Sequence, residues 1–256
     1  MQAAILPFAS GWRWIQEGAR LFRRQPLAMF FWSLATGLII TLTYLVPLLG
    51  QMVLIVAMPS LTFITLNACR HISQGGQMMP GMWLQPLREG DARRRLFRLG
   101  LAYLGCCLLG GFAATLPFMG QLMAAVGDAG ALDEAALLQA IRGPFIVFGL
   151  LYVLISALFW HAPALVGWHK IKLAQALFFS MVACWRNKWP FLLYGASWAG
   201  IFVAVQFLGD LLAGSGLGPG VAQAILTPVN IAVAAVLYCS FYPTYLSVFG
   251  GQAEVS

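Results

Sequence analysis

An all-α protein that crosses a membrane six times is the fold class this sequence predicts, and three observations predict it. Of its 256 residues, 61% are hydrophobic and 9% charged, whereas soluble domains run near about 45–50% and about 25%. A soluble fold of this size has too little interior to hide so much apolar surface, so lipid must solvate much of the chain. Apolar runs long enough to cross a bilayer, which takes about 20 residues, fall at 27–46, 48–69, 97–119, 144–168, 190–212 and 221–249. The charges between these runs alternate. Fourteen of the fifteen basic residues lie in the N-terminal segment, the 70–98 connection and the 169–189 connection. The opposite connections hold only Arg142, beside Asp128, Asp133 and Glu134. Basic loops stay in the cytoplasm, so both termini are expected there. The expected organisation is one integral membrane domain over 1–256, built as three hairpins.

Residues 10–25 are expected to form an interfacial helix before span 1. Wound as a helix, Trp12, Ile15, Ala19 and Phe22 share one face, and Arg13, Glu17, Arg20 and Arg24 the other. Such a helix suits the headgroup layer, where each basic residue near anionic lipid is worth about 1 kcal/mol. Pro26 then opens the first span, a position proline tolerates because its missing N–H would lack a partner there anyway. The first 26 residues show no short apolar core with a small-residue cleavage site, so span 1 is expected to serve as an uncleaved signal. Pro47, Leu48, Leu49 and Gly50 turn the chain into the second span.

The third span follows "DARRRLFRLG", a basic approach without a proline. Segment 127–142 is expected to carry a short amphipathic helix on the outer side, through Ala131, Leu132, Ala135, Leu138 and Ile141. A second interfacial helix is expected over 169–188, with His169, Lys172, Ser180 and Arg186 along one side, Trp185 and Trp189 as interfacial anchors, and Pro190 turning into the fifth span. "GSGLGPG" at 214–220 separates the last pair of spans. Pro59, Pro163 and Pro243 stand near the cytoplasmic ends of the even spans, the basis for reading three related hairpins. Gly100, Gly105, Gly110 and Gly111, with Ala196 and Gly200, are expected to let helices approach closely.

The elbows "ARLFRRQP" (19–26) and "VACWRNKWP" (182–190), with the apolar hairpins after them, resemble those of a family of small six-helix bacterial inner-membrane proteins of uncharacterised function. More distantly, the chain is similar to the membrane domain fused to some glycerophosphodiester phosphodiesterases. The resemblance implies a multi-pass protein of the bacterial inner (plasma) membrane. It brings no catalytic residue, and the phosphodiesterase's soluble catalytic domain has no counterpart here.

Chemistry is sparse. Cys69, Cys106, Cys107, Cys184 and Cys239 sit mostly in apolar runs and read as small buried residues. No nucleophile–base pair, metal shell or phosphate loop is written, so no catalytic residue, metal or cofactor is expected. His161, beside Pro163 in the fourth span, is the leading intramembrane candidate, because ionisable residues at membrane depth default to functional hypotheses. A neutral imidazole bonded to a neighbouring helix is the plainer reading. Gln206, Asp210 and Asn230 are candidates to join it in a polar cluster. Arg13, Arg20, Arg23, Arg24, Arg93, Arg94, Arg95, Arg186 and Lys188 are the candidate contacts for anionic lipid. The favoured function is a non-enzymatic accessory, scaffold or lipid-interacting factor. Its partners would be membrane phospholipids and a membrane-protein companion or a second copy of itself, with no nucleic acid. The alternative is a small transporter or channel for an apolar or lipid substrate.

Overall fold

The computed structural model describes residues 3–88, 90–126, 134–216 and 218–250. In chain order the helices are α1 (Ser10–Arg24), α2 (Pro26–Thr43), α3 (Leu49–Ser73), α4 (Gly90–Thr115), α5 (Met119–Val126), α6 (Glu134–Phe159), α7 (Ala162–Trp168), α8 (Leu173–Arg186), α9 (Lys188–Gly214) and α10 (Pro219–Phe249). No strand occurs among the described residues. Six stretches are long and apolar enough to cross a membrane: Pro26–Thr43, Leu49–Ser73, Gly90–Ala125, Ala136–Trp168, Lys188–Gly214 and Gly220–Phe249. Each overlaps an expected span. Most of their large side chains face outward, as hydrocarbon rather than water requires; Leu109, Leu150, Val203 and Leu192 are each 60% exposed or more.

Local chemistry sets the helix ends. Pro26 is the first residue of α2 and Pro190 lies in the first turn of α9, where their lack of an N–H does no harm. Between α2 and α3, Leu48 adopts a left-handed φ of 65°. A Cβ on Gly50 would run into the Thr43 carbonyl, so only glycine lets the chain reverse this tightly. The fourth span is not one helix. It breaks at Trp160–His161 and restarts as α7, with Pro163 in the new first turn. Residues 127–133 lie outside the described residues. From Glu134 the chain is already the start of α6, so the expected separate helix over 127–142 is replaced there by a continuous one.

The inner face of α1 differs from the expected one. Ser10, Gly11, Trp14, Ile15, Gly18 and Leu21 are buried, while Trp12 is exposed. α1 packs into the angle between α9 and α10. Gly11 lies under the start of α9, where an added Cβ would strike the Pro190 carbonyl and come within 2.8 Å of the Tyr194 nitrogen. Gly18, two turns on, would place its Cβ 2.7 Å from Ser240 Cα. The Trp14 indole N–H donates to Ser247 Oγ at 2.8 Å. Trp14 and Ile15 join Tyr194 and Trp198 in a small aromatic core. The expected face ranks residues by apolarity, whereas the face that packs is the one whose Gly11 and Gly18 let α9 and α10 approach closely.

The second expected interfacial helix also shortens. His169 closes α7, and α8 begins only at Leu173. Ser180 is fully buried and Arg186 exposed, so they do not share a side. Helix pairing is broader than three hairpins. α2 touches α3 and α9 touches α10, yet the most extensive contacts join α1 to α10 and α3 to α4. Of the expected close-approach glycines, Gly100 abuts the Val56 carbonyl and Gly110 would meet Ile155 at 3.1 Å. Gly105, Gly111 and Gly200 have nothing within 4 Å.

Gly18→Ala is expected to force α1 off α10, an overpacking penalty of about 1–3 kcal/mol, and so to lower the melting temperature in detergent. Gly37→Ala, with nothing within 4 Å of the new methyl, removes a helix penalty of about 1 kcal/mol and should hold or raise it.

Candidate functional site

The elements meet at the end of the bundle that carries the basic residues, and two side-chain amides join them. At the α1–α2 elbow, Gln25 donates through Nε2 to the Gly76 carbonyl (2.6 Å) and accepts the Met78 N–H at Oε1 (2.8 Å). At the α8–α9 elbow, Asn187 donates through Nδ2 to the Ala4 carbonyl (2.8 Å) and accepts the Leu6 N–H at Oδ1 (2.9 Å). In both, one amide grips the C=O of one residue and the N–H two residues later, as a neighbouring strand would. Asn187 is completely buried and also donates to Ala183 O at 3.0 Å. The Ala4 N–H in turn donates to Val248 O at 3.0 Å, tying the N-terminal segment to the end of α10. Neither amide was singled out from the sequence. The available signal was their matched place, one polar amide between a basic helix end and a proline-led span.

The basic residues separate into working and free ones. Arg24 caps the end of α3, donating from Nη1 to Ser73 O (3.1 Å) and Ile72 O (3.4 Å), a favourable place for a cation. Arg13 donates to Ser10 Oγ at 2.8 Å. Arg70 lies 5.4 Å from the Trp168 ring centre. Lys188 sits 5.1 Å from the Trp185 ring and 5.9 Å from that of Trp189; both rings are over 60% exposed. Arg20, Arg23 and Arg186 are exposed. Arg93 and Arg94 line an open hollow of about 390 Å³ with Asp91 and Phe97. Arg95 is different: it is half-buried, and its Nε and Nη2 are enclosed with no hydrogen-bond partner.

The four polar candidates do not assemble. Gln206 and Asp210 pair with each other along exposed α9 at 3.3 Å. Asn230 bonds back to Leu226 O on α10 at 2.9 Å. His161 is buried elsewhere, 1% exposed, ringed by Phe191, Tyr245 and Phe249 with centroids 5.3–6.2 Å away. Its backbone explains the break in span four. The His161 N–H donates to Ser180 Oγ (3.0 Å), and that hydroxyl donates to Ala157 O (2.8 Å). A side chain from α8 has inserted into the bond that His161 would otherwise make four residues back, one of the recognised causes of a kink. The His161 Nε2 is buried without a partner.

A polar seam closes the same end. His169 Nε2 and Tyr245 OH lie 2.5 Å apart, the Trp168 indole N–H donates to Asn67 Oδ1 (3.0 Å), and Ser73 Oγ donates to Tyr242 OH (3.3 Å). Above it, Trp83 stacks on Trp32 with centroids 4.5 Å apart, folding the 77–88 segment over α2. Burial first, and the Arg70 charge second, hold the His169 imidazole below its ordinary pKa. All five cysteines are free thiols.

Asn187→Ala leaves the Leu6 N–H and Ala4 C=O without partners. Both bonds are partly buried, so each loss costs about 1 kcal/mol. Early proteolytic cutting within residues 3–9 and a lower melting temperature are the expected outcomes. For His169, the unfolded chain takes up its proton first, near pH 6.5. Stability is therefore full above about 6.5 and is lost as pH falls through the lowered folded value. The drop in melting temperature between pH 8 and pH 5 should be smaller in His169→Gln than in the native protein.

No family model and no solved structure matches the chain. A probable inner membrane protein of Burkholderia thailandensis is 32% identical over 262 residues, spanning 98% of this chain and 95% of that one. With the six apolar helices, that likeness over nearly the whole length identifies a multi-pass membrane protein, and the chain belongs to the same family as this inner membrane protein.

Proposed function

We propose that the protein is a non-enzymatic accessory or scaffold of the bacterial inner membrane that holds anionic phospholipid at its basic end, with that end and both termini in the cytoplasm. The observation that carries this is Arg95. A guanidinium with two enclosed nitrogens and no acceptor is a charge partly withdrawn from water with no protein countercharge, which is unfavourable. Among the described residues no carboxylate pairs with it or with its basic neighbours. A lipid phosphate at the remaining, open nitrogen supplies the countercharge, and guanidinium suits phosphate geometrically. Exposed Arg20, Arg23, Arg93, Arg94 and Arg186, and Lys188 among its tryptophans, extend the same attraction across the headgroup layer, at about 1 kcal/mol each. The outward apolar belt leaves room for a membrane-protein companion or a second copy.

A second reading, a small transporter or channel for an apolar or lipid substrate, draws on the break at Trp160–His161, since discontinuous helices build midplane sites in transporters. His161→Ala would abolish a coupled version and leave lipid binding untouched.

Adding phosphatidylglycerol to the detergent-purified protein should raise its melting temperature, as any ligand of the native state does. Arg95→Met should raise the baseline in neutral detergent and abolish most of the response. A full response in Arg95→Met, or none in the native protein, would overturn the proposal.

A further inference from the structure

A cleft of about 200 Å³ opens in the flank of the bundle among α3, α4, α6, α7 and α10. Pro59, Thr62, Tyr103, Tyr152, Ser156 and Trp160 form the part of its wall that matters here. It lies within the membrane-spanning stretches: Tyr152 is the central residue of Ala136–Trp168 and Thr62 stands near the middle of α3, with Trp160, Pro163 and Phe241 nearer the basic end. It faces lipid, because Tyr152 is 41% exposed and the neighbouring Met58 36%.

Its hydroxyls are underused. Tyr103 and Tyr152 share one hydrogen bond at 2.8 Å, and Tyr103 also meets the Cys107 thiol. Thr62 and Ser156 make no hydrogen bond among the described residues. Elsewhere in the spans hydroxyls fold back on their own helix: Thr36 to Trp32 O, Thr65 to Leu61 O, Thr244 to Phe241 O. Two spare donors therefore converge on one lipid-facing hollow, where hydrocarbon provides no acceptor. The walls between them are aromatic, with Phe159 4.9 Å from Tyr103 and Phe241 5.2 Å from Trp160, centroid to centroid.

We propose that this cleft binds a neutral, prenyl-tailed lipid with a planar ring bearing carbonyl oxygens, the quinone class. The ring lies between the aromatic walls, its oxygens accept from Thr62 and Ser156, and its tail runs out into lipid. A phospholipid does not fit the donors. Its oxygens stay at the headgroup level, about 15 Å from the midplane of a hydrocarbon core about 30 Å thick, and its chains carry no acceptor. The inference concerns binding only and is independent of the anionic-lipid reading.

The test uses the full chain in phosphatidylcholine nanodiscs, titrated with a benzoquinone carrying a decyl tail while tryptophan fluorescence is followed. Saturable quenching is expected, and Trp160→Phe should remove most of it. Thr62→Val/Ser156→Ala should weaken the apparent affinity by about tenfold, at an unchanged melting temperature. A decylbenzene without carbonyls should compete at least about tenfold more weakly. Unsaturable quenching, unchanged affinity in the hydroxyl variants, or equal competition by decylbenzene would overturn the proposal; the last would make the cleft a seat for acyl chains. Should the double variant melt early, Ser156→Ala alone, compared with Ser60→Ala outside the cleft, decides the matter. Arg95→Met should quench like the native protein, so failure here and failure of the anionic-lipid reading are read separately.

Discussion

A helix that breaks inside a membrane exposes backbone groups that lipid cannot satisfy, and the rest of this structure depends on how each break is repaired. The chain interrupts its helices at residue 25, at residues 160–161 and at residue 187, and at each place one uncharged polar side chain does the repair. Ser180 bridges the gap between His161 and Ala157. Gln25 and Asn187 use the breaks differently: their amides hold a neighbouring segment in place of a further turn of helix. Gln25 and Asn187 make the end that carries the basic residues a woven layer, and the repair at His161 lies deeper, inside the span Ala136–Trp168.

α10 is the post to which the layer is fastened. It contacts α1, α2, α3 and α9, and its last two turns supply Tyr242, Tyr245, Ser247 and Val248 to separate partners. Small residues set how closely the others approach it. Gly18 against Ser240 brings α1 to backbone contact, and at that distance dispersion and hydrogen bonding replace the hydrophobic drive that lipid takes away.

Span number, approximate limits and the proline-led elbows were legible because length and apolarity are one-dimensional properties. The inner faces were not. In water the apolar side of a helix faces the core, but in lipid apolar side chains suit both directions, so Trp12 and Trp14 cannot be ranked by hydropathy. What separates them is the glycine spacing, Gly11 and Gly18 on one stripe with Trp14 between. The joining amides escaped notice for a related reason. Gln25 and Asn187 stand beside arginine, lysine and tryptophan, whose charge and bulk dominate any reading of the elbows, yet Arg20 and Arg23 turn outward while Asn187 is wholly enclosed. Arg95 was grouped with Arg93 and Arg94 on charge alone; only the fold distinguishes an enclosed guanidinium from two open ones. The supposed cluster of His161, Gln206, Asp210 and Asn230 rested on residue type, and the helices carry its members to different faces.

The bond between Trp14 and Ser247 spans 233 residues of sequence. α1 emerges from the ribosome well before the groove that receives it, between α9 and α10. Throughout synthesis a helix with Trp14, Ile15 and Leu21 on one side and four arginines on the rest has no protein to lean on. The headgroup layer is the natural waiting place for such a helix, and its amphipathic character serves that interval. A segment made long before its groove is therefore the latch that closes the bundle.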